Sequence, residues 1–78
     1  MEIDRFIKHK VFKHKNNVDV AFLITDINEE FHNEIHLRGY WMRITSMNNL
    51  SLLCHDVITV NVNDISNWSL FNGEEAYE

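Results

Sequence analysis

Hydrophobic and polar positions along this chain alternate with a period of two over most of its length. Val18, Val20, Phe22 and Ile24 share one parity, and Asp19, Ala21, Leu23 and Thr25 share the other. β-Branched and aromatic residues dominate the run, so Val18 to Ile27 predicts a half-buried to buried strand. Asn16-Asn17 before it is a turn signal, and Asp26 to Glu30 after it reads as a polar reversal. Ile35 to Thr45 is the longest strand candidate. Ile35 and Leu37 share one parity, Tyr40, Met42 and Ile44 share the other, and Gly39 sits where the parity changes. A glycine there predicts a bulge, or the bend of a small barrel.

Ser46 to Asn49 then reads as a loop. Leu50 to Cys54 and Val57 to Val62 form the next β region, with His55-Asp56 either a turn or a kink in one long strand. Asn63 to Trp68 predicts a helical turn capped by Asn63 or Asp64, and Ser69 to Phe71 a short last strand. The first fifteen residues fit two patterns. Phe6 to Lys10 and Val11 to Lys15 are near-repeats, while Ile3, Phe6, Ile7, Lys10 and Val11 fit a helical face. Strand and helix both stay open for residues 1–15.

These elements predict a mainly β fold: a small SH3-like barrel, or a strongly bent antiparallel sheet, with one helical turn near 64–68. An open meander packed on an N-terminal helix is the further alternative. Seventy-eight residues hold one domain, read as 1–73 with a frayed acidic tail at 74–78. So small a core makes a homo-oligomer a reasonable expectation. The single cysteine, Cys54, excludes an intrachain disulfide and fits a reducing compartment. Its apolar neighbours predict a buried small hydrophobe. No stretch reaches membrane-span length, and Met1 to Lys15 lacks the apolar core of a signal peptide.

Charge divides the chain. Residues 1–15 hold five Lys/Arg against two carboxylates, 5 − 2 = +3, and residues 16–78 hold two Arg against ten carboxylates, 2 − 10 = −8. An acidic body disfavours phosphate neutralisation and suits a basic protein partner.

Asp19-Val20-Ala21-Phe22, Leu37 to Ile44, Ile58-Thr59-Val60 and Asp64 to Trp68 together carry a resemblance. In these segments the chain resembles small accessory proteins of tailed bacteriophages. The resemblance implies no activity. It implies a phage protein made in the host bacterial cytoplasm, where such proteins commonly bind and alter host machinery. The Lys-His-Lys groups lie outside the shared pattern.

Candidate contact residues follow from residue type. Trp41 with Arg43 and Arg38 has the composition of an interface anchor, or of a stacking platform for a base. Trp41 faces out if Gly39 is a bulge and joins the core if it is not. Lys8, Lys10 and Lys13, with His9, His14 and Lys15, form a basic arm suited to an acidic groove or to phosphates. Trp68 predicts a core plug. His32, Glu34 and His36 would share one strand face, and a zinc site there would need His55 or Asp56 as a further ligand. The plainer reading is a solvated face, and no metal or other cofactor is expected. Cys54 and His55 point to opposite sides of a strand, and no glycine-rich loop is present, so no catalytic set is expected.

The expected function is a non-enzymatic protein-binding module, a phage-encoded modulator or inhibitor of a host bacterial complex. A nucleic-acid-binding barrel using the basic arm is the first alternative, and a phage structural or assembly component the second. No membrane association is expected.

Overall fold

The alternating runs pair into one antiparallel sheet in the computed structural model, which describes residues 6–29, 34–46 and 49–71. The strands are β1 (Val11–His14), β2 (Val20–Glu29), β3 (Glu34–Ser46), β4 (Asn49–Asn61) and β5 (Trp68–Leu70). A 3-10 helix, Val62–Asn67, joins β4 to β5, where the helical turn was expected. Asn61 caps it, its side chain accepting from the Asn63 N–H, so the cap precedes both expected candidates, Asn63 and Asp64.

The strand order is β4-β3-β2-β1-β5, so the last strand lies at the opposite edge from the one before it. Four strand spacings make a flat sheet about 19 Å wide. A 3-10 helix of six residues rises only about 12 Å. The sheet must therefore curl for the helix to cross it. The bent sheet is the alternative that forms. The two edge strands do not pair, so the expected SH3-like barrel does not close.

The curl places the core on one face. Phe12, Phe22, Ile24, Ile35, Leu37 and Val60 line it, and Phe6, Ile65 and Trp68 close over them. Phe6 meets Phe12 edge-on at 5.2 Å and Trp68 at 6.2 Å. Trp68 is 5% exposed, which bears out the core plug.

Gly39 works differently from the sequence expectation. β3 shows no parity change: Ile35, Leu37, Gly39 and Trp41 lie on one face and pair with Val60, Ile58, Asp56 and Cys54. The bulge lies across from Gly39, in β2, where Ile24 pairs with Gly39 and Asp26 with Arg38, leaving Thr25 over. That extra residue returns Ile27 to the core side opposite Leu37. Glycine is needed at 39 because a Cβ there would lie 1.8 Å from the Leu23 carbonyl oxygen. β2 also runs on to Glu29, so the expected polar reversal at Asp26 is strand.

For His55-Asp56 the one-long-strand alternative forms, and for Cys54 the expectation changes. β4 is one strand through His55 and Asp56, and its irregularity falls at Leu53, the residue left over between the Trp41–Cys54 and Met42–Leu52 pairs. Cys54 is exposed, not buried, because it lies on an edge strand beyond the reach of the core. In the N-terminal segment, the helix does not form over Phe6 to Lys10. The Lys10 N–H donates to the Ile7 carbonyl, and His9 has φ 69°, which a right-handed helix cannot contain. Val11–His14 then takes the strand alternative between β2 and β5. The predicted tail at 74–78 lies outside the described residues.

Gly39→Ala is expected to lower unfolding free energy by about 3 kcal/mol or more in urea titration, because two strands must separate to admit the methyl group. A loss below about 1 kcal/mol would show that this approach is not tight.

Candidate functional site

The face opposite the core is uncovered by any described element. Pairing brings Leu23 of β2, Tyr40, Met42 and Ile44 of β3, and Leu50 and Leu52 of β4 onto it. Leu52 is 61% exposed, and the others are partly exposed. Tyr40 meets His55 edge-on at 5.1 Å on the same face. The strong alternation of β3 and β4 made this row visible in the sequence. It was missed because Gly39 was read as the point where the inward row changes parity.

The expected contact residues divide between the faces. Trp41 lies on the core side, its ring 4.9 Å from Phe22, and is half-buried. Its Nε1–H donates to Asp56 Oδ2 at 3.0 Å. Of the two alternatives for Trp41, the core one forms, because β3 keeps its parity through Gly39. Arg43 is exposed on the same side, between Val20 and Ser51. Arg38 lies on the uncovered face opposite Asp26 and Val57. Neither arginine makes an ion pair among the described residues.

Lys8 reaches Asp26 at 3.9 Å, an exposed and weak pair. Lys10 is exposed, and its carbonyl accepts from the Ile24 N–H. Lys13 pairs with Ser69 and, next to inward Phe12, takes the uncovered face. The basic arm and Trp41 therefore do not form one platform.

Asp26, Ile27, Asn28, His36, Arg38 and Val57 border a cleft of about 270 Å³. It lies below the range usual for small-molecule sites. His32 lies outside the described residues. His36 pairs with Asn28 and Thr59, and no group of metal-ligating side chains is present among the described residues. His55 and Asp56 point to opposite faces, so they cannot both join His36.

Two carboxylates have specific partners. Asp64 accepts from the Asn67 amide at 2.6 Å and contacts His14 Nε2 at 3.0 Å. The Asn16 N–H donates to His14 Nδ1, which assigns the remaining proton of a neutral imidazole to Nε2, facing Asp64. Asn67 first holds the Asp64 carboxyl below its ordinary value; burial opposes it, and the His14 hydrogen bond and charge add to the lowering. The Trp68 N–H also favours that charge, but weakly. Its Nε1 is buried without an accepted hydrogen-bond geometry. Asp56 is lowered by the Trp41 N–H and then by the Val57 N–H. The His14 contact ties β1 to the 3-10 helix, and the Asp56 contact ties β3 to β4.

No protein-family model, curated protein or solved structure matches this chain.

Asp56 and Asp64 both ionise more readily folded than unfolded. Their stabilisation is therefore present above the ordinary value of 3.8 and is lost as pH falls through the lower folded values. Between about pH 5 and about pH 2, urea midpoints are expected to fall less steeply for the D56N/D64N double variant than for the parent chain. Parallel curves would show that neither carboxylate matters to acid stability.

Proposed function

We propose that this chain is a non-enzymatic binding module that presents the uncovered sheet face to a protein partner. One observation carries the reading: Leu23, Tyr40, Met42, Ile44, Leu50 and Leu52 form an apolar row on the face that no described element covers. Contiguous apolar surface rimmed by polar groups is the usual mark of a protein contact. The acidic excess of residues 16–78 supports a partner whose surface is basic around an apolar centre. Arg38 and Lys13 lie on the same face and supply polar contacts, while Trp41 acts from the other side as a packed support. If the chain is the phage accessory protein that its sequence resembles, the partner would belong to a host bacterial complex and the chain would act as its modulator or inhibitor. Nucleic-acid binding is the weaker reading, because Lys13 and Trp41 lie on opposite faces.

The test is capture of a stoichiometric protein from bacterial lysate by the tagged chain. Leu52→Asp is exposed enough to leave the fold intact and is expected to weaken capture at least about tenfold, since it puts a charge into an apolar contact. Lys8→Ala and Lys10→Ala are expected to change it little. Capture unaffected by Leu52→Asp, or no capture at moderate salt, would overturn the reading.

A further inference from the structure

Residues 16–78 carry ten carboxylates, no lysine and two arginines, Arg38 and Arg43. The surroundings of the two differ. Arg43 stands between Val20 and Ser51, with no carboxylate opposite it. Arg38 stands on the uncovered face directly opposite Asp26 and borders the cleft of about 270 Å³. Opposite charges set against each other across two strands ordinarily pair. Here they do not. The Arg38 guanidinium has neither an ion pair nor a hydrogen bond among the described residues.

The Asp26 carboxylate is held elsewhere. Its Oδ1 accepts from the Ile27 N–H at 3.0 Å and lies 3.9 Å from Lys8 Nζ. The bulge residue acts on the other strand. Thr25 donates from Oγ1 to the Arg38 carbonyl at 3.0 Å, which ties down the Arg38 main chain while its guanidinium stays unpaired. His36 precedes Arg38 by two residues, so both side chains leave the same face about 7 Å apart. His36 is half-buried, borders the same cleft, and its ring has no partner among the described residues. Even a neutral imidazole keeps one N–H, so His36 is a donor in either protonation state. Two unused donors therefore border one cleft, and half-exposed Val57 gives it an apolar wall.

We propose that this cleft seats an acidic side chain of the protein partner, its carboxylate held by the Arg38 guanidinium fork and by His36. The proposal rests on the reading that the uncovered face meets a protein. Charge, size and place each select this occupant. The guanidinium lacks the anion that its cross-strand neighbour would ordinarily supply, and a carboxylate matches its fork with two parallel hydrogen bonds. The cleft is too small for a whole drug-sized ligand but has room for one side chain. Arg38 precedes Tyr40 by two residues on the same face, so the cleft begins where the apolar row of Tyr40, Met42 and Ile44 ends. A partner docked on that row reaches the cleft without a second contact area. Its basic rim is steered by the acidic body, and its one carboxylate at Arg38 fixes the register, because in another register that carboxylate meets like charge.

NMR of the full isotope-labelled chain at fixed ionic strength tests this without the partner. The probe is N-acetyl-glutamate amide, with N-acetyl-glutamine amide as its uncharged control and inorganic phosphate as the competing anion. The glutamate probe is expected to shift the Arg38 Nε–H and the His36 ring saturably, with a dissociation constant on the order of 10 mM. The Arg43 Nε–H is expected to stay in place. Arg38→Ala is expected to abolish the His36 shifts. Arg38→Lys keeps the charge but not the fork and is expected to weaken binding about fivefold. In the lysate capture, Arg38→Ala is expected to cost about fivefold or more, and Arg43→Ala little. Equal shifts at Arg38 and Arg43, an equal response to the glutamine control, or phosphate bound more tightly than the glutamate probe would overturn the proposal. So would capture unchanged by Arg38→Ala. The two readings fail separately. Capture unaffected by Leu52→Asp removes the apolar face and leaves the probe titration standing, whereas an unresponsive Arg38 removes the cleft and leaves the face.

Discussion

Between Gly39 and the Leu23 carbonyl there is no room for a Cβ, and the shape of the sheet depends on that approach. A single sheet has one core and little to cover it. Here the cover is Phe6, a 3-10 helix carrying Ile65, and Trp68. Six helical residues cannot cross a flat sheet of five strands, so the sheet must curl. The bare backbone at Gly39 and the extra residue at Thr25 lie opposite each other, where β2 and β3 bend together. Without them the core row of β2 would leave the core side after Ile24.

Curling onto one face leaves the other face open. The long β3–β4 hairpin carries apolar residues on that side, with no second layer among the described residues to receive them. The same topology leaves β4 as an edge, since the chain departs from it across the core to reach β5. The open face and the open edge are thus two consequences of one constraint.

Much of the architecture was legible in the sequence. The alternation in Val18 to Ile24, Ile35 to Thr45 and Val57 to Val62 identified three strands, and Asn63 to Trp68 identified the helical turn. Trp68 as a core residue followed from its position after that turn. The bulge was legible as well but was sought in the wrong strand. Ile24 and Ile27 are three positions apart, and two core residues on one strand at odd spacing require an extra residue between them. Gly39 drew the bulge to β3 because a glycine in a strand has two uses, an extra residue or a close approach. Sequence periodicity does not separate them.

The sequence by itself determined a mainly β domain, its turn before the last strand, and an acidic body with a basic N-terminal arm. Those follow from local pattern and from charge, which need no partner strand to be read. Tertiary structure alone decided which side of β3 faces inward, that Cys54 is exposed, that Trp41 leans on Phe22 and holds Asp56, and that β4 remains an edge. Each of these depends on which strands become neighbours, and pairing is a property of two segments that neither carries alone.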